Sequence, residues 1–206
     1  MFPFERIPAS KTVTHMVLQY LEFASYLGAP KDDIRWNIQT SGKRPDMVPG
    51  NYIVLNIGAT KTANKWTPEG FAALIYAVQQ RFALTSVITG GKEDVEMANK
   101  IMAISHGEGI NLVGKTTLNE LTDVLQYAKA VVTCDTGPMH LAVALGKEVL
   151  ALFGPSDQRR TGPFRGHVIE KGIYCSPCNK RNCPDPLCMK GISSEKVMEK
   201  LTEVLM

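Results

Sequence analysis

The sequence predicts an α/β domain built on a doubly wound parallel sheet. Three observations predict it. Short runs rich in β-branched residues recur along the chain, segments with apolar residues at helical spacing separate them, and turn-forming residues stand at the junctions.

The first part of the chain has a different texture. Val13, Met16, Val17, Tyr20, Leu21, Ala24 and Leu27 mark one helical face, ended by Gly28 and Pro30. A polar, turn-rich stretch over 31–51 then reads as a linker. Residues 1–50 are therefore assigned as a helix and linker, and residues 51–206 as the α/β domain. Within that domain YIVLNIGA (52–59) has the composition of a strand buried on both faces. Thr67 and Pro68 open a helix with Phe71, Leu74, Ile75, Val78 and Phe82 on one face. TSVITGG (85–91) is a second strand ending in glycines, and EDVEMANKIMAI (93–104) a second helix. INLVG (110–114) is a third strand, followed by a helix marked by Leu118, Leu121, Leu125 and Ala128. AVVTCDTG (130–137) and EVLALFG (148–154) are further strands, separated by the short helix PMHLAVAL (138–145) with Gly146 at its end. Residues 193–206 close the chain as an amphipathic helix.

Composition narrows the function classes. A 44% hydrophobic, 21% charged chain is an ordinary globular one. Its net charge of +3, without a Lys/Arg run interleaved with aromatics, argues against nucleic acid but leaves room for a pocket that takes an anionic small molecule. No apolar run approaches the roughly 18 residues of a membrane span, and Glu22 interrupts the best signal-peptide candidate. The expected location is the cytoplasm, at most peripheral to the inner face of the membrane. The five cysteines are then thiols or metal ligands rather than a disulfide framework.

Gly109 to Thr116 fits the phosphate-loop pattern G-x-x-x-x-G-K-[ST]. The spacer Ile110-Asn111-Leu112-Val113, however, belongs in a sheet, and no strand precedes Gly109. Gly114 and Lys115 instead form the turn after the third strand, with Thr116 or Thr117 capping the next helix. That turn lies where open α/β sheets place ligands, so backbone at Lys115 and Thr116 either meets a base or ribose or is an ordinary turn.

Three other junctions carry chemistry. After the fourth strand come Asp135, Thr136 and Gly137, and then Pro138 starts a helix. Free amides of that first turn, with the positive end of the helix dipole, form an anion site. Asp135 either accepts from sugar hydroxyls beside a diphosphate or caps its own helix. His140 alone reads as a structural histidine. After the first strand, Thr60 and Thr62 offer hydroxyls and Lys61 and Lys65 positive charge. Lys65 either neutralises a diphosphate or is a solvated loop residue. After the second strand, Glu93 is placed to accept from ribose hydroxyls or is merely an acid in a first helical turn.

The segments NIGATKTANKWTPEGFAAL, ITGGKED, LVGKTTLNEL and above all DTGPMHLAVALGKEVLALFGPSD resemble the glycosyltransferase family 9 heptosyltransferases, from about residue 52 onward. The resemblance implies a GT-B architecture of two Rossmann-like domains, of which this chain holds one half-domain preceded by a helix and linker. It implies heptose transfer with inversion from an ADP-activated donor to the lipopolysaccharide inner core, with no catalytic metal and no required cofactor. It places Thr60, Lys65, Thr136 and Gly137 on the diphosphate, Glu93 on the ribose, backbone at Lys115 and Thr116 on the adenine, and Asp135 on the donor sugar. It implies that the general base sits in the other half, so no residue here is assigned that role and the chain alone is expected to be inactive. The non-enzyme alternative is a free-standing nucleotide-sugar binding module.

Cys175, Cys178, Cys183 and Cys188 stand as C-x2-C-x4-C-x4-C. Four thiolates would close a structural zinc site with no open position for chemistry. The two later spacings match no familiar zinc module, and thiols in a proline-rich loop also serve packing, so both remain open. Cys134 reads as a small core residue.

Overall fold

The computed structural model describes residue 10, residues 12–30 and residues 34–206. The start of the signal-peptide candidate and the first three linker residues lie outside the described residues.

The domain alternates as expected: β1 (Tyr52–Asn56), α2 (Pro68–Phe82), β2 (Thr85–Thr89), α3 (Val95–Ile104), β3 (Ile110–Asn111), α4 (Leu118–Gln126), β4 (Val131–Cys134), α5 (Gly137–Ala144), β5 (Val149–Phe153), α6 (Gln158–Thr161), β6 (His167–Glu170), α7 (Leu187–Lys190) and α8 (Ser194–Leu205), all preceded by α1 (Met16–Tyr26). The six strands run parallel in the order β3-β2-β1-β4-β5-β6. The chain therefore winds outward from β1 in one direction and from β4 in the other. The switch point falls between these two strands, where their carboxyl ends leave a crevice.

Alternation along β1 explains its unbroken apolar run. Ile53 and Leu55 face a core with Phe71, Leu74, Ile101 and Leu201, whereas Tyr52 and Val54 face a second core with Val124, Leu125, Met139 and Ala142. Both faces of the strand are covered, so every position of β1 is buried. Helix starts follow their sequence signals. Thr67 caps α2 by accepting from the Gly70 amide at 3.0 Å, with Pro68 as first helical residue. Thr117, rather than Thr116, caps α4, in a reciprocal box with Glu120.

Three expectations needed adjustment. β3 pairs over only two residues, although the chain continues beside β2, with the Leu112 amide donating to the Ile88 carbonyl at 2.9 Å and the Gly114 amide to the Gly90 carbonyl at 3.0 Å. The second helix begins with a single 3₁₀ turn, Lys92–Asp94, before α3. β6 pairs in parallel with β5 yet was not foreseen, since the run HVIE is short and has only one fully buried position.

α1 buries none of its residues, and Leu18, Tyr20, Phe23, Tyr26 and Leu27 are exposed. Its apolar face thus meets no core of the described residues. The helix start is held by His15, which bonds the Gly162 carbonyl at 3.1 Å and lies against Phe164. The linker is tied down where the Ser41 amide donates to Asp123 at 2.8 Å. Among the described residues, no helix is long and apolar enough to cross a membrane.

Candidate functional site

A cavity of about 330 Å³ opens at the carboxyl ends of β1, β2, β3 and β4. It is bounded by Gly58 to Thr60 after β1, by Gly90, Gly91, Glu93 and Asp94 after β2, by Thr116 to Leu118 after β3, and by Thr136 to Pro138 after β4. Junctions separated by some eighty residues in sequence therefore share one space, because the strand order brings them together.

Asn56, the last residue of β1, ties the floor together. Its amide donates to Thr133 and Thr136 hydroxyls, each at 3.1 Å, and its carbonyl accepts from Thr89 at 3.3 Å. One buried side chain thereby links β2, β1 and β4 and fixes the Thr136 rotamer beneath the start of α5. No side chain caps α5, whose N-cap is Thr136. A Cβ placed on Gly137 would meet nothing within 4 Å, so the helix start faces open space. Pro138 has no N–H and the Met139 amide bonds the Thr136 carbonyl at 3.2 Å, so the Gly137 amide and the positive end of the dipole are what this corner offers an anion.

Asp94 forms the second anchor. Its side chain is 1% exposed, accepts from the Lys65 ammonium at 2.5 Å and from the Gly91 amide at 3.0 Å. A Cβ on Gly58 would fall 2.7 Å from its carboxylate and one on Gly90 would fall 3.1 Å from it. Both glycines are thus needed to let the carboxylate lie between the ends of β1 and β2. Trp66, next in the chain to Lys65, is buried against Phe71 and donates to the Ile192 carbonyl at 3.0 Å.

Of the residues expected from the sequence, Thr60, Glu93, Thr116, Thr136 and Gly137 line the cavity. Lys65 stands behind Asp94 rather than in the lining. Asp135 lies beside the cavity, accepting from Asn64 at 3.2 Å, and Asn64 also donates to Ser156 at 3.0 Å. Asp135 is not the cap of α5, so that alternative falls away. The Lys115 ammonium is turned back onto the Asn111 carbonyl at 2.8 Å and stays outside the lining. Sequence reasoning missed Asn56 and Asp94. Glu93 is exposed and folded over Gly91, and Asp94 next to it is buried.

The phosphate-loop pattern has no such structure. Gly109 has φ +93° because its backbone packs on β2, where a Cβ would come within 2.9 Å of the Ser86 carbonyl. The cysteines are all free, and among the described residues no three His, Cys, Asp or Glu side chains converge as metal ligands, at Cys175, Cys178, Cys183 and Cys188 or elsewhere. Cys188 is buried and its thiol is pushed up by that burial, whereas Cys175 is exposed. Cys134 lies wholly in the core, where burial raises its thiol to about 12.

Comparison with known proteins extends the geometry. A family model described as Glycosyltransferase family 9 (heptosyltransferase) matches residues 2–188. A lipooligosaccharide heptosyltransferase 2 of Campylobacter jejuni is 28% identical over 205 residues, which cover 93% of this chain and 64% of that protein. The protein of the same name in Haemophilus influenzae is 46% identical over 101 residues, covering 47% of this chain and 29% of the relative. The structure of an E. coli ADP-heptose LPS heptosyltransferase II is 28% identical, with a TM-score of 0.62 over 75% of this chain and 46% of that one. The family 9 glycosyl transferase of Veillonella parvula shares the fold at a TM-score of 0.76, with 21% identity over 97% of this chain and 62% of that one. This chain spans less than two-thirds of the length of each of these relatives.

Proposed function

The chain belongs to glycosyltransferase family 9, and on that premise we propose that it supplies the donor side of an enzyme moving heptose from an ADP-heptose-like nucleotide sugar to the lipopolysaccharide inner core. The observation that carries the proposal is the uncapped start of α5 opening into a cavity at the switch point of the sheet. A diphosphate there accepts from the Gly137 amide at the start of α5, with the Thr136 and Thr60 hydroxyls beside it. The ribose lies toward the end of β2, within reach of Glu93. The base lies past β3, where Thr116 contributes backbone and Leu118, 71% exposed at the cavity, supplies an apolar wall. Asp135 takes the hydroxyls of the donor sugar.

The chemistry assigned to this side is leaving-group stabilisation. As an acceptor hydroxyl attacks the anomeric carbon, the bond to the diphosphate breaks and the configuration inverts. The departing charge falls on the α5 start, and Lys65 stands behind Asp94. The base that takes the acceptor proton is assigned to the part of the relatives' length that this chain does not span. In the same proposal residues 51–206 are the donor domain, and α1 with its linker is the crossing from the acceptor-side domain, which would cover the exposed face of α1. The protein works in the cytoplasm and meets its lipid-linked acceptor at the inner face of the membrane.

Calorimetric titration with ADP, UDP and GDP tests the donor side. ADP is expected to bind, with affinity reduced in Lys65→Ala. Preference for UDP would reassign the donor. Heptosyl transfer catalysed by the 206-residue chain alone would refute the division of labour.

A further inference from the structure

We propose that Arg181, carried by the cysteine-bearing loop between β6 and α7, is a diphosphate ligand of this cavity, an inference that rests on the donor-site proposal above. Among the described residues the lining contains the carboxylates of Glu93 and Asp94 and no Lys, Arg or His. Lys65 neutralises Asp94, and Lys115 is turned away onto Asn111. A nucleoside diphosphate adds further negative charge, against which the start of α5 supplies only about half a positive charge. Another cation has to reach the rim.

Arg181 is built into that rim from both of its ends. Its carbonyl accepts from the Ala63 amide at 3.1 Å and lies 3.3 Å from the Thr62 hydroxyl, which also reaches Asn182 at 2.8 Å. Its guanidinium donates to the Thr60 carbonyl at 3.4 Å. Thr60 lines the cavity, so the guanidinium stands at the edge of the space assigned to the diphosphate. The loop that carries it is pinned a second time where the Asn179 amide donates to the Pro155 carbonyl at 2.7 Å. A guanidinium has five N–H donors in a planar fork, and the bond to Thr60 uses one of them. The others are available to phosphate oxygens, which match the fork in geometry and charge. The loop singled out in the sequence for its cysteines thereby contributes through an arginine lying between them.

The test compares wild type, Arg181→Gln and Arg181→Lys by calorimetric titration with ADP and with adenosine. Gln can still donate to the Thr60 carbonyl while removing the charge. ADP affinity is expected to fall about tenfold in Arg181→Gln, as loss of one charge-assisted contact implies, with adenosine affinity unchanged. Arg181→Lys should recover part of the loss. Binding of ADP by Arg181→Gln within about twofold of wild type would overturn the proposal, as would an equal loss for adenosine, which would mark a displaced loop. Wild type that binds no ADP would overturn the donor-site proposal and this one together.

Discussion

Replacing Asp94 by Asn removes the buried charge that holds Lys65 while keeping an oxygen for the Gly91 amide. The magnitude follows from the exposures. Breaking a fully buried ion pair by neutralising one partner costs about 3–5 kcal/mol. Asp94 is 1% exposed but Lys65 is 23% exposed, so water partly solvates the stranded ammonium and the expected loss is about 2 kcal/mol. For a domain of this size that lowers the melting temperature by about 4–8 °C. Thermal unfolding followed by circular dichroism reads the shift. A double-mutant cycle with Lys65→Met then isolates the pair, and the double variant should lose less than the sum of the single variants, by about 1 kcal/mol or more. A shift under about 1 °C, or strictly additive effects, would refute the claim that this pair organises the end of β2.

Gly137→Ala separates stability from binding: the new methyl meets no protein atom, and alanine is the better helix former, so stability should hold or rise by up to about 1 kcal/mol. The same methyl occupies the approach to the amides, and ADP affinity measured by calorimetry should drop by about tenfold or more; unchanged affinity would place the diphosphate elsewhere. Gly109→Ala does the reverse, losing about 1–3 kcal/mol from strain at φ +93° and the close approach to Ser86 while leaving ADP affinity intact. A loss of nucleotide binding in that variant would revive the phosphate loop.

Sequence made the scaffold legible because strands buried on both faces announce themselves. β1 and β5 lie in the runs YIVLN and VLALF, where no polar residue interrupts burial before the strand end. β6 escaped because an edge strand with one buried position carries too little of that pattern. At the site, glycines and threonines after strands marked the junctions that line the cavity, since a turn and a close approach need those residue types. Asn56 gave no such signal, because nothing local distinguishes a polar strand end that bonds across three strands from one that meets solvent. Asp94 gave no signal either, because a helix taken over 93–104 misses the 3₁₀ turn Lys92–Asp94, where the angular spacing of neighbouring residues differs. Arg181 was invisible for a different reason: its contacts with Thr60, Thr62 and Ala63 span about 120 residues and depend on how the cysteine loop folds back.

The central claim is that the open start of α5 receives a diphosphate. Crystals soaked with ADP test it directly. The account predicts phosphate oxygens within about 2.7–3.2 Å of the Gly137 amide, with the adenine beyond Leu118. Phosphates bound at any other strand end, or side chains of the protein itself closing over Gly137, would contradict it.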